Sequence, residues 1–135
     1  MFEELVRQAI KARDMAYAPY SNFRVGAALL CGDGTVYQGC NIENAAYSPT
    51  NCAERTAIFK AVSEGKRDFR AIAIVGGPAD GPLSRCAPCG VCRQVMLEFC
   101  EPEFEIVAAV SEDDYMVWKL KDLTPEAFGP KNLRG

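Results

Sequence analysis

The amino-acid order predicts an α/β domain in which one mixed sheet of five strands is covered by helices. Three observations predict it. Apolar residues recur at helical spacing in three segments; short runs rich in Val, Ile, Leu, Ala and Tyr lie between and after them; and two connections are too short for anything but an antiparallel turn.

Phe2, Leu5, Val6, Ala9 and Ile10 fall on one helical face with charges between them, so residues 2–15 form the first expected helix. Ala18-Pro19-Tyr20-Ser21-Asn22 ends it. Residues 24–31 and 35–41 are expected strands, joined as a hairpin by Gly32-Asp33-Gly34. A second helix is expected to start just after Asn51 as N-cap, because Ala57, Ile58, Ala61 and Val62 follow at helical spacing and Gly65 stops the pattern. Residues 71–75 are a β-branched apolar run, an expected buried strand, and Gly76-Gly77-Pro78 and Asp80-Gly81-Pro82 mark a loop after it. A third helix should follow Pro88, with Cys92, Val95, Met96, Phe99 and Cys100 as its stripe. Residues 105–110 make the next strand. The turn Ser111-Glu112-Asp113-Asp114 is too short for a crossover, so residues 115–119 pair antiparallel with it. Residues 129–135 read as a frayed tail.

Composition narrows the function. A chain of 135 residues with 49% hydrophobic side chains has the size of one domain, residues 1–135, with a core of its own. The start lacks a basic stretch followed by an apolar run and a small-residue cleavage site, so no secretory leader is expected, and no apolar run is long enough for a membrane span. A net charge of −3 repels a polyanion, which argues against long nucleic acid as a partner. Seven cysteines, an odd number, fit a reducing, cytoplasmic setting with thiols used singly or as ligands. The chain has no histidine, which removes His bases, His ligands and His-based triads.

Chemistry then falls to the cysteines. Cys86, Cys89 and Cys92 lie at two-residue gaps, and Cys52 stands upstream in Asn51-Cys52-Ala53-Glu54-Arg55. A Cys-x-x-Cys pair at a helix start brings two sulfurs to one ion, and the helix N-terminus favours their thiolates. A closed clip of Cys52, Cys86, Cys89 and Cys92 is one reading of the set, as a structural zinc site. Glu54 favours another, because a carboxylate beside a metal is what hydrolytic sites add. An iron–sulfur run needs a further cysteine where this chain has Met96, and a thioredoxin-like pair leaves the other thiols unexplained. Cys31, Cys40 and Cys100 read as core thiols.

Cys52-Ala53-Glu54 followed by Pro88-Cys89-Gly90-Val91-Cys92 resembles the zinc-dependent cytidine deaminase family, in its all-cysteine form. The resemblance extends over nearly the whole chain, through 16–23 and 41–47 to Arg93-Gln94. It implies a three-layer α/β/α fold and one zinc ion per subunit held by Cys52, Cys89 and Cys92, with Cys86 a bystander and the fourth position open to water. Three thiolates leave the dication with a net charge of about −1, which weakens it as a Lewis acid. Arg55, beside Glu54, and Arg93, beside Cys92, are placed to offset this by donating to the thiolates.

The resemblance further implies hydrolytic deamination of cytidine and 2′-deoxycytidine in pyrimidine salvage, with Glu54 carrying protons from the water to N3 and the leaving amine. Asn41 and Glu43 would hold the ribose, the loop with Ala45 and Tyr47 would wall the pocket, Phe23 would lie against the base, and the Ala53 backbone would meet the pyrimidine edge. It also implies a homotetramer with shared active sites, to which Phe128 and Tyr47 contribute across interfaces. A deaminase for a cytosine-containing antibiotic nucleoside and a non-catalytic zinc-stapled interaction domain are the rival readings.

Overall fold

The structure, a computed structural model, describes residues 1–134. In chain order the elements are α1 (Glu3–Arg13), β1 (Phe23–Cys31), β2 (Val36–Cys40), α2 (Ala53–Ser63), β3 (Phe69–Pro78), α3 (Gly90–Phe99), β4 (Glu105–Ser111), β5 (Asp114–Lys119), α4 (Leu120–Leu123) and α5 (Pro130–Arg134). The five strands form one sheet in the order β2-β1-β3-β4-β5. The β3–β4 pair is parallel, with α3 in the crossover between them, and every other pair is antiparallel, so the sheet is mixed as expected.

Side-chain alternation along the strands builds two cores. Leu29, Ile72, Ile74 and Ile106 face one side and pack with Ala57, Ile58, Ala61 and Met96 of α2 and α3. Ala28, Ala73, Val75, Val107 and Ala109 face the other and pack with Leu5, Val6 and Ala9 of α1. Helices therefore cover both faces, the three layers that the sequence implies. Each of these fully buried Ile side chains stabilises the fold by on the order of 1.5–3 kcal/mol relative to exposure.

Small residues set how close the helices lie. A Cβ on Gly39 of β2 would sit 2.5 Å from the Ala53 carbonyl oxygen and 2.5 Å from the Ala57 nitrogen, so glycine alone lets the first turn of α2 rest on the strand. On the opposite face, a Cβ on Gly26 would collide with the Ala9 carbonyl and the Arg13 backbone of α1.

Several boundaries differ from expectation. The N-cap of α2 is Cys52 rather than Asn51, whose backbone instead bridges to Ile42. Strand β2 stops at Cys40, one residue short, because Asn41 turns to bond with Val25 through both its backbone and its side chain. Strand β3 runs through Gly76-Gly77-Pro78, expected as loop, because β1 pairs along its whole length. The carbonyls of Gly77 and Pro78 at its end accept from the Arg13 guanidinium, at 2.9 and 2.7 Å. In the segment expected to fray, residues 130–134 form α5, while Gly135 lies outside the described residues. Four- and five-residue helices are too short to show a periodic stripe, and α4 and α5 were not foreseen for that reason.

Candidate active site

Two helix N-termini converge on one place. Cys52 and Cys89 are the N-caps of α2 and α3, both in extended conformation, and neither thiol makes a capping hydrogen bond to its own first turn. The first-turn amides therefore remain as partial positive charge facing the sulfurs. Cys92, one turn into α3, is fully buried and completes a set of three sulfurs within 4.8 Å of one another. The Cys52–Cys89 and Cys89–Cys92 sulfur separations are 3.8 and 3.6 Å. Three sulfurs about 2.3 Å from a tetrahedral zinc would stand about 3.8 Å apart, so both the donor set and its spacing fit zinc.

Among the described residues, this cluster holds three ligands and not four. Cys86 lies nearby, but its thiol donates to the Ser84 carbonyl at 3.4 Å, which speaks against the four-thiolate clip. Arg55 donates from Nη2 to the Cys52 sulfur at 3.2 Å, as its position beside Glu54 suggests. Its Nε is buried without a partner among the described residues. Arg93 does not reach the thiolates. It donates to the Pro88 carbonyl at 2.8 Å and the Leu123 carbonyl at 3.1 Å, tying α4 to the start of α3, so its guanidinium is engaged by backbone oxygens.

The thiols divide their protons unequally. A hydrogen bond from Cys92, together with the Arg55 guanidinium, pulls Cys52 down to about 5 against the opposing effect of burial. The same shared hydrogen bond and burial push Cys92 up. Metal binding requires the ligating thiols to give up their protons.

Glu54 occupies the second position of α2 and is 5% exposed. Burial, with the neighbouring Cys52 charge adding to it, pushes its pKa up to about 7. A carboxyl group poised near neutrality both takes and gives a proton at little cost. It lines a cavity of about 350 Å³ together with Phe23, Val25, Asn41, Cys52, Ala53 and Cys89. A larger hollow of about 820 Å³ lies at the other end of α3, against α4 and α5, and contains none of the three thiols. We place the chemistry in the smaller cavity because the thiols and Glu54 are there.

The other expected contacts divide into two groups. Phe23, Asn41 and Ala53 line the cavity. Asn41 is largely spent on β1, accepting from the Val25 amide at 2.9 Å and donating to the Phe23 carbonyl at 2.8 Å. Glu43 is not part of the lining; its carboxylate accepts from the Tyr20 and Ser21 amides at 2.9 and 3.1 Å and from the Ser21 hydroxyl. Ala45 and Tyr47 sit exposed in the loop beyond, Tyr47 with a left-handed φ of 64°. Phe128 is exposed, with its carbonyl accepting from Gln94 at 2.9 Å.

Val25, Thr50, Asn51, Ile74 and Ala87 also line the cavity without having been expected there, as does Cys86, expected as a bystander thiol. Val25 stands two residues from Phe23 on one strand, and that period placed it on the same face. Ile74 reads in sequence as pure core, so nothing there marks it.

Comparison with known proteins agrees with this geometry. Residues 2–108 match the family model described as the cytidine and deoxycytidylate deaminase zinc-binding region. The chain is 52% identical over 131 residues to a cytidine deaminase of Sporosarcina psychrophila, covering 97% of this chain and 93% of that protein. It is 43% identical to a cytidine deaminase of Mycobacterium tuberculosis over 93% of this chain and 87% of that one. Crystal structures of cytidine deaminases superpose closely. That from Burkholderia pseudomallei has a TM-score of 0.85 at 51% identity, covering 95% of this chain and 99% of that one. That from Mycobacterium tuberculosis has a TM-score of 0.81 at 40% identity, covering 96% and 98%. With three converging thiols, a buried Glu54 and these likenesses along almost all its length, the chain belongs to the cytidine and deoxycytidylate deaminase zinc-binding family.

Proposed function

We propose that residues 1–135 act as one zinc-dependent deaminase domain that hydrolyses cytidine and 2′-deoxycytidine to uridine and 2′-deoxyuridine, releasing ammonia. The observation that carries this is Glu54 buried in the same cavity as a three-thiol cluster that lacks a fourth protein ligand among the described residues. Cys52, Cys89 and Cys92 would hold the zinc, which supplies the Lewis acidity that brings a water near neutrality in pKa. Glu54 takes one proton from the attacking water and hands it to N3 as the water oxygen bonds to C4. It then takes the second proton from the new C4 hydroxyl and gives it to the amine, which leaves as ammonia as the C4–N bond breaks and the C4 carbonyl forms. Arg55 keeps negative charge on Cys52.

Phe23 and the Ala53 backbone bracket the base, as two cavity walls. Asn41 and the Glu43 carboxylate receive the sugar. Three of about four acceptor positions on that carboxylate are already taken, which leaves room for one sugar hydroxyl. The exposure of Tyr47 and Phe128 supports a homotetramer in which these aromatics, with the loop around Ala45, complete a neighbouring subunit's site. The compartment is the cytoplasm, where thiol ligands stay reduced, and nucleic acid is not a partner.

The test is a substrate panel with zinc-loaded protein, followed by the ultraviolet change of the ring and by ammonia. Cytidine and 2′-deoxycytidine should both turn over. Cytidine monophosphate should be at least about hundredfold poorer in kcat/KM, since the loop from Asn41 to Tyr47 has no cation for a phosphate. A preference for the monophosphate, or turnover of neither nucleoside, would contradict the proposal.

A further inference from the structure

The lip of the cavity is held by a hydroxyl that the deamination chemistry does not use. Strand β2 pairs with β1 only from Gly26 onward, so the edge of β1 from Phe23 to Val25 has no strand beside it there. Asn41, through backbone and side chain, and the Ser21 hydroxyl take the place of that strand. Asn41 bonds the Phe23 carbonyl and the Val25 amide, and the Phe23 amide donates to the Ser21 hydroxyl at 3.0 Å. An amide only donates, so the proton of the Ser21 hydroxyl is free for its other partner, the Glu43 carboxylate. Glu43 in turn accepts the Tyr20 and Ser21 amides. One continuous chain of bonds therefore runs from Glu43 through Ser21 to the backbone of Phe23, which lines the cavity.

We propose that Ser21 is a positioning residue that couples Glu43 to Phe23, so that the group receiving the sugar and the wall against the base move as one unit. Asn22, between Ser21 and Phe23, turns the chain with a left-handed φ of 59°, a conformation that asparagine tolerates better than most residues, and the turn lets the Phe23 amide reach back to the Ser21 hydroxyl. Without the Ser21 hydroxyl, the Phe23 amide and the Glu43 carboxylate each lose a partner and the wall is free to shift, although no group that moves a proton in the reaction has been altered. The sugar part of this inference rests on the function proposed above; the coupling itself rests on the hydrogen bonds alone.

The experiment is a double-mutant cycle on zinc-loaded protein with Ser21→Ala, Glu43→Gln and the double variant, together with Ser21→Thr. Ser21→Ala should raise KM for cytidine about tenfold with kcat within about threefold, a loss of binding rather than of chemistry. In the Glu43→Gln background the same change should add less than about twofold, because residues of one network are not additive. Ser21→Thr, which keeps the hydroxyl, should recover most of the loss. Exchange of the Phe23 amide, followed by NMR and independent of activity, should accelerate in both single variants. Multiplicative effects, an unchanged Phe23 exchange rate in Ser21→Ala, or a threonine variant no better than alanine would overturn the coupling. The sugar contact is separated with 2′,3′-dideoxycytidine: if Glu43→Gln raises KM equally for this substrate and for cytidine, the sugar contact fails, while the cycle and the exchange rates still decide the coupling.

Discussion

Glu54 is the charged or polar side chain that the described residues bury, and its burial works against stability while it serves proton transfer. Glu54→Gln keeps the shape and removes a carboxyl that the site strains to hold. The variant should melt no lower than the parent in thermal unfolding of the zinc-loaded protein; a marked drop would mean that the carboxylate is structural. Arg55 makes the reverse prediction. Arg55→Gln removes the donor to the Cys52 sulfur, and turnover or zinc affinity should fall about 10–100-fold, read by steady-state kinetics and metal titration. Glu43 gives the pH dependence. Its hydrogen bond from Ser21, then those from the Tyr20 and Ser21 amides, hold its carboxyl below the ordinary carboxylate range. The folded form thus releases its proton more readily than the unfolded chain does. Its stabilising contribution is complete above the unfolded pKa of about 4.3 and is lost as pH falls through the lower folded value. An NMR titration should find the Glu43 carboxyl depressed in the parent and raised toward normal in Ser21→Ala.

At the scale of elements, the site depends on how closely α2 lies on the sheet. Gly39→Ala would press a methyl group into the Ala53 carbonyl and the Ala57 amide and lift the end of the helix that carries Cys52 and Glu54. It should cost about 1–3 kcal/mol in urea unfolding and also weaken zinc retention. Gly26→Ala crowds α1 on the opposite face, so it should destabilise the fold while leaving zinc affinity intact. The three long helices and five strands were legible because each carries a clear apolar period, and the thiols and Glu54 because their spacing is distinctive. Nothing local in the sequence shows that Cys52 itself caps α2, since Asn51 is by type the better cap. That Arg93 turns to carbonyls rather than sulfurs, and that Glu43 is occupied by a turn some twenty residues upstream, depend on tertiary placement that no local pattern encodes.

On the scale of the whole molecule, the cavity of one chain leaves several aromatic side chains in solvent: Tyr17, Tyr20, Tyr47 and Phe128 are all more than half exposed. The shared sites proposed above would account for that exposure. Light scattering should give about four times the 14.8 kDa of one chain, and Phe128→Ala should raise KM with little change in kcat. A monomer with full activity would remove the shared-site proposal without touching the chemistry inside the cavity. That chemistry is tested most directly by the rate of cytidine deamination in the parent and in Glu54→Gln, with zinc measured in both preparations. Equal zinc near one ion per chain is expected, with a turnover lower by at least about hundredfold in the variant. Comparable turnover at equal zinc content would contradict the role of Glu54 as the proton carrier.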